Sequence, residues 1–280
     1  MRSKGGTLRA LWLGKLLRGL RESVGLSLKD AGDHIIRDPS AISRMETGLV
    51  PARMSDVREL MSLYGLDDSE LRAGLEMLAR DIWVKGWWDE FVRGIHVRVL
   101  DLAWLESRAE KIRDFSPLVI DGLIQTREYA EAVMRTIDPD VPDERISQWL
   151  DFRMKRQDIL DQRDYTAILD EAVFHRSFGG SRVMRDQLAH LLTISERPNI
   201  TIRVLPFSAS TLAAPESAFT LLTLPAPFPL VAQVTTETET IYMEMPKTVR
   251  FDAAYARFER HALDPEESRV FIKTRMAQLA

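Results

Sequence analysis

Between Gly25 and Gly48 the sequence carries two helix starts and two helix stops, which leaves room for two helices of about two turns each and a tight turn between them. Ser27 stands where an N-cap belongs, with Asp30 three residues on as a short variant of the capping box, and opens a helix to His34. After Ile36, Arg37 and Asp38, Pro39 occupies a natural first helical position. The segment Ser40 to Thr47 follows, and Gly48 closes it. Upstream, Leu8, Trp12, Leu16 and Leu20 recur every four residues with Leu13 and Leu17 beside them, predicting an amphipathic helix over 8–23 that Gly25 ends. Downstream, Ser55 to Tyr64 and Asp68 to Arg80 supply two more helices, the first closed by Gly65 and the second opened by Asp67 or Asp68. Residues 1–80 are therefore expected to form an all-α five-helix domain.

The pattern then changes twice. Over 81–95, Trp83, Trp87 and Phe91 fall on one face at i, i+4 and i+8, which predicts a connecting helix within a linker over 81–99. Such rings either pack between two domains or form an aromatic cage for a ligand. From residue 100, helical patterns at 101–113, 126–136, 143–162 and 182–196 alternate with β-branched runs at Tyr165 to Asp170, Ile200 to Pro206, Ala218 to Leu224, Leu230 to Thr235 and Thr240 to Glu244. Two closing helices, near 248–262 and 266–279, flank Asp264-Pro265. Residues 100–280 read as a mixed α+β domain.

Composition narrows the function classes. With no cysteine in 280 residues there is no disulfide, thiolate nucleophile or Cys-ligated zinc. The low-charge stretch Leu221 to Val234 carries Pro225, Pro227 and Pro229 and is too short to span a bilayer as a helix. Arg9, Lys15, Arg18 and Arg21 interrupt the N-terminal leucines, leaving no hydrophobic block for a signal peptide, so the expected location is the cytoplasm and no membrane is involved. Charge is uneven. Residues 1–65 hold 11 basic and 7 acidic side chains and the remainder 27 and 35, so a head of net +4 precedes a body of net −8. The imbalance points to a polyanion at the head or arises by chance.

Two short helices joined by a tight turn form a helix-turn-helix, the second helix entering the DNA major groove. On Pro39 to Thr47, Ile42 and Met45 should face the core, leaving Ser40, Ala41, Ser43 and Arg44 outside. Arg44 suits a bidentate contact with guanine, and the serines can donate to phosphates or bases. Lys29, Arg37 and Arg53 are candidate phosphate contacts. With Ser27 and Pro39 these residues make up the expected DNA-binding set.

The run Gly25-Leu26-Ser27 and the segment Ala41-Ile42-Ser43-Arg44-Met45-Glu46-Thr47-Gly48 resemble the Cro and phage-repressor (xenobiotic response element) family over about residues 9–78. The resemblance implies that Ser40 and Arg44 read bases and that Glu46 pairs with Arg21 at the end of the first helix as scaffold. Three positions depart from the family pattern. Leu28 replaces a glutamine that buttresses a phosphate contact, Ile36 replaces the turn glycine, and Pro39 replaces a polar reading residue. A β-branched residue resists positive φ, so the turn must take another geometry or tolerate strain. Base readout is expected to lean on Arg44 and on DNA shape.

The body resembles the C-terminal effector-like domain of actinobacterial WhiJ-like and antitoxin-like regulators. The resemblance is carried by Asp121-Gly122-Leu123-Ile124-Gln125-Thr126-Arg127-Glu128-Tyr129-Ala130, Leu169-Asp170-Glu171-Ala172-Val173, Gly179-Gly180 with Met184 and Gln187-Leu188, and Val204-Leu205-Pro206-Phe207. Asp121 replaces the usual proline, and Ser208-Ala209-Ser210 lacks a usual glycine. The resemblance implies regulation beside a small acidic partner protein, without enzymatic activity.

The body's own residues allow few catalytic readings. Asp170 and Glu171 are either an acid/base pair or a strand end and helix cap, and adjacent strand residues point to opposite faces. Gly179-Gly180-Ser181 offers amides for an anion or a plain turn, without the lysine of a phosphate-binding loop. His175 with Arg176 is a further candidate base or ligand-binding pair, but His34, His96, His175, His190 and His261 show no metal-ligand spacing. No metal, cofactor or enzymatic activity is expected. Gln125, Thr126, Tyr129, Glu171 and Arg176 remain as candidate partner or ligand residues.

These readings converge on a regulator of transcription. It should bind a double-stranded, pseudo-palindromic operator as a homodimer, with a body that dimerises and senses a partner protein or small ligand. The alternative is an antitoxin-like protein that sequesters a small partner and autoregulates its operon.

Overall fold

A computed structural model describes residues 6–209, 217–236 and 239–279. The chain divides into two compact units, residues 1–104 with 226–228, and residues 105–225 with 229–280.

Five helices open the first unit: α1 (Leu8–Ser23), α2 (Leu28–Ile35), α3 (Pro39–Glu46), α4 (Met54–Leu63) and α5 (Ser69–Trp83). Side-chain caps set three of the starts. Thr7, Ser27 and Asp68 accept from Ala10, Asp30 and both Glu70 and Leu71 backbone N–H groups, and each satisfies a donor the helix itself leaves open. The core is the apolar stripe of each helix: Leu13 and Leu17 of α1, Ala31 of α2, Ile42 of α3, Val57, Leu60 and Met61 of α4, and Leu75 and Leu78 of α5 are all buried. Gly14 lets α1 approach the end of α3, since a Cβ there would lie 2.4 Å from the Met45 carbonyl oxygen and 2.5 Å from that of Glu46.

The connecting helix expected over 81–95 does not form. Helix α5 runs on to Trp83 and stops, Gly86 is extended, and a separate 3-10 turn spans Trp87–Phe91, with the Asp89 carboxylate accepting from the Gly86 N–H at 2.7 Å. The break separates the rings. Trp87 packs edge to face on Trp88 and Phe91, whereas Trp83 donates its indole N–H to the Ala52 carbonyl at 2.9 Å.

Helix α6 (Val97–Arg108) leads into the second unit. Where helix was expected to continue to residue 113, the chain forms strand β1 (Lys111–Ser116) instead. Strands β2 (Asp164–Asp170), β3 (Ile200–Leu205), β4 (Phe219–Thr223), β5 (Val231–Thr235) and β6 (Thr240–Met243) complete one sheet in the order β3-β2-β1-β4-β5-β6. β1 pairs parallel with β2 and β2 with β3, while β4, β5 and β6 add antiparallel. The parallel half needs crossovers, and helices α7 (Arg127–Ile137), α8 (Asp143–Arg156) and α9 (Gly180–Ile194) lie in them. Helices α10 (Thr248–His261) and α11 (Pro265–Ala277) close the fold, the latter with a capping box of Asp264 and Glu267.

The main apolar cluster joins Phe115, Ile168, Leu205, Phe219, Leu221 and Ala232 of the sheet to Tyr255 and Phe258 of α10. Phe115 and Phe258 are 4.2 Å apart between ring centroids. A satellite cluster of Ala130, Met134, Ile146 and Leu150 binds α7 to α8. The architecture is thus a helical head followed by a mixed α+β body. Of the loop Ser208-Ala209-Ser210, Ser210 lies outside the described residues.

Candidate functional site

Helices α2 and α3 and their turn form the candidate site of the head. The capping box at α2 is complete: the Ser27 hydroxyl accepts from the Asp30 N–H at 3.1 Å, and the Asp30 carboxylate accepts from the Ser27 N–H at 2.8 Å and from its hydroxyl at 2.6 Å. These bonds from Ser27 hold the Asp30 carboxyl below its ordinary value.

The turn keeps left-handed geometry without glycine. Ile36 has φ 55° and ψ 53°, and its side chain is 90% exposed. It is the one non-glycine residue at positive φ among the described residues. Strain is therefore tolerated, and no burial of the isoleucine side chain compensates it. Gly32 makes the turn possible from the other side, because a Cβ there would lie 2.5 Å from the Arg37 carbonyl oxygen. The Arg37 N–H in turn donates to the Gly32 carbonyl at 2.9 Å.

Helix α3 starts at Pro39 after Asp38, whose side chain makes no capping bond. Ile42 and Met45 are buried, Pro39, Ser40 and Arg44 are exposed, and Ala41 and Ser43 are half-buried. Glu46 anchors the end of the helix. Arg21 donates from Nε and Nη2 to the two Glu46 carboxylate oxygens at 2.7 and 2.9 Å, and from Nη1 to the Leu26 carbonyl at 2.8 Å. The pair is present as the resemblance implied, and it fixes which face of α3 turns outward.

The cations around α3 differ in their surroundings. Among the described residues the Arg44 and Arg53 side chains have no ion-pair partner, and both are exposed. Lys29 lies 3.7 Å from Asp33, both well exposed. Arg37 is held by Asp56: Nη2 to Oδ2 is 3.4 Å, with the carboxylate side chain only 10% exposed. Asp56 was missed in the sequence because no local spacing links it to Arg37.

The five candidate residues of the body are engaged internally. Gln125 is buried, donating to the Ile120 carbonyl at 2.6 Å and accepting from Arg153 at 2.6 Å. Thr126 caps α7 and donates its N–H to the Gln187 side chain at 2.6 Å. Tyr129 is wholly buried against Phe178, and burial pushes its hydroxyl up to about 12. Gln125 and Tyr129 therefore lie in the interior rather than at an open surface. Glu171 accepts from the Phe207 N–H at 2.8 Å, and Arg176 donates to the Leu118 carbonyl at 3.0 Å. Asp170 caps the following 3-10 turn through the Ala172 N–H, the capping alternative of its two readings. Glu171 is 3.4 Å from His175, whose ring stacks on Phe207.

A buried polar cluster in the body escaped sequence reading. Arg156 donates to both oxygens of Glu106 at 2.9 and 2.5 Å. Asp114, on β1, accepts from Ser116 at 2.6 Å and Thr220 at 2.9 Å, and Asp121 accepts from the Tyr165 hydroxyl at 2.9 Å. Burial, with the charge of Asp121 adding to it, raises the Asp114 carboxyl well above its ordinary value; burial raises Glu106 against the pull of Arg156. These bonds tie α6 to α8, β1 to β4, and β2 to the segment that follows β1. Among the described residues no His, Cys, Asp and Glu grouping could hold a metal ion. No helix there is long and apolar enough to cross a membrane.

Residues 12–74 match a family model described as a helix-turn-helix domain, and residues 99–274 match one described as a domain of unknown function, DUF5753. The second match spans more than half of the chain, which belongs to that family. No curated protein and no solved structure gives a significant match.

Proposed function

We propose that this helix-turn-helix member of the DUF5753 family is a cytoplasmic, sequence-specific regulator of transcription that binds its operator as a homodimer. The observation that carries the reading is the outward face of α3. Arg21–Glu46 and the buried Ile42 and Met45 anchor the inner side, and Ser40 and Arg44 stand exposed on the other. Arg44 reads a guanine edge, Ser40 and Ser43 add polar contacts, and Pro39 and Ala41 supply close apolar approach. Ser27, Lys29, Arg37 and Arg53 meet phosphates, with Asp56 orienting Arg37.

On this reading the head is of the Cro and phage-repressor type, which the Arg21–Glu46 pair supports. The body is WhiJ-like and non-enzymatic, dimerises the protein, and answers a partner protein or small ligand. Two heads on adjacent half-sites gain affinity through local concentration, which suits a head of only +4 net charge over residues 1–65.

Selection of DNA from a random library with the full-length protein, at two salt concentrations and again with Arg44→Ala, tests the reading. A palindromic motif that weakens steeply with salt is expected, and Arg44→Ala should erase it. Enrichment of no motif by the parent protein overturns direct operator reading and favours the antitoxin-like alternative, in which a partner must bind first.

A further inference from the structure

Five aspartates stand immediately before a helical turn among the described residues, and four of them close it. Asp68, Asp121, Asp170 and Asp264 each accept backbone N–H groups of the turn that follows, at 2.8 to 3.0 Å. Asp38, which precedes α3, makes no capping bond. The adjoining proline is not the reason. Asp264 is also followed by proline, has the same extended backbone with φ −66° against −64°, and still closes its helix through the Glu267 N–H. At α3 the Ala41 N–H donates instead to the backbone carbonyl of Asp38 at 2.8 Å. The Asp38 carboxylate is exposed and has no hydrogen bond or ion pair among the described residues, while the neighbouring Arg37 is engaged by Asp56 at 3.4 Å.

Position and chemistry decide what this carboxylate can meet. The N-terminal residues of a recognition helix are those that reach base edges, and Asp38 stands at the entrance to α3 beside the exposed Pro39 and Ser40. An ionised carboxylate only accepts hydrogen bonds. In the major groove guanine and thymine turn acceptors toward it, and adenine sets its N7 acceptor beside its amine. Cytosine presents a donor, the N4 amine, with no acceptor next to it. Phosphates repel the carboxylate as well, so it adds nothing to binding on random sequence and penalises every register that lacks the cytosine. Arg44 lies six residues on, about 9 Å along a helix that rises about 1.5 Å per residue. At about 3.4 Å per base pair that distance spans about two or three pairs.

We infer that Asp38 is a specificity-determining residue of the head, its carboxylate accepting a hydrogen bond from the N4 amine of a cytosine about two or three base pairs from the guanine that Arg44 reads. The inference deepens the proposed function, on which it rests, by naming a second base of the half-site.

Random-library DNA selection with the full-length parent, Asp38→Ala and Asp38→Asn tests it. The parental motif should contain that cytosine. Asp38→Ala should lose the preference at this position alone, and Asp38→Asn should exchange cytosine for adenine, whose N6 and N7 suit an amide. Titrations should show Asp38→Ala binding the selected duplex about tenfold more weakly than the parent does, and random duplex no more weakly. Its melting temperature should match the parent's, since no capping bond is lost. If Asp38→Ala melts lower, the nearly isosteric Asp38→Asn decides alone. A parental motif without the cytosine overturns the inference. So does a motif that Asp38→Asn keeps unchanged, or an equal loss of affinity on both duplexes by an Asp38→Ala that melts like the parent. A parental motif indifferent to Asp38 removes this residue's role and keeps the regulator, whereas enrichment of no motif by the parent removes both.

Discussion

Arg21 and Glu46 join the last turn of α1 to the last turn of α3 through two parallel hydrogen bonds of 2.7 and 2.9 Å, with side chains only 9% and 6% exposed. Bidentate geometry at low exposure makes this pair an anchor of α3 rather than a surface contact.

Removing one partner should therefore cost more than a surface ion pair. Glu46→Ala leaves the buried Arg21 guanidinium with only the half-exposed Glu22, 3.5 Å away, as counter-charge and should destabilise the head by about 2–3 kcal/mol. Chemical denaturation of the full chain, followed by tryptophan emission, checks this; an unchanged midpoint would reduce the pair to a surface contact.

Ile36 offers the opposite sign. A β-branched residue at φ 55° with a 90% exposed side chain gives up local backbone energy without gaining burial. Ile36→Gly should raise stability by about 1 kcal/mol, the relief of strain exceeding the entropy glycine loses on folding. A lowered melting temperature would contradict it.

Arg44 and Lys29 should separate specificity from affinity. Arg44→Ala is expected to cost about 1–3 kcal/mol on the selected site and little on random duplex. Lys29→Ala should weaken both alike and reduce the salt slope by about 1. Titrations on both duplexes at several salt concentrations read the difference, and equal losses for Arg44→Ala would remove its base-reading role.

Asp101 should make stability depend on pH. Its Oδ1 accepts the Leu8 N–H at 3.0 Å, its Oδ2 is buried without a hydrogen bond, and burial pushes the carboxyl up to about 6. With the folded value raised above the unfolded one, the folded state binds the extra proton between about pH 4 and 6. Stability from this group thus falls as pH rises through that window and then levels off, by about 2–3 kcal/mol in all. Asp101→Asn keeps a carbonyl for Leu8 and should melt higher than the parent at pH 7.5 but not at pH 4. Equal gains at both pH values would mean that the carboxyl is not the titrating group.

Local chemistry settled much of the head in advance. Ser27 with Asp30, Pro39, Gly48 and Gly65 mark helix ends through bonds and dihedrals that involve only near neighbours, and Ile42 and Met45 follow from helical spacing. The runs at 165–170, 200–206, 218–224, 230–235 and 240–244 are legible as strands because β-branched residues, with aromatic ones in three of the runs, recur in them. β1 was not, since Lys111, Arg113, Asp114 and Ser116 give it a polar texture. Those groups suit a strand only once Thr220 donates to Asp114 and Asp252 meets Arg113, partners more than 100 residues away. The stop after Trp83 was hidden because spacing alone carried the expected helix past Gly86. The Asp56 that holds Arg37 and the buried Glu106–Arg156 pair belong to the same class. Capping and periodicity act within a few residues and can be read along a chain, whereas compensation of buried charge exists only when distant segments meet.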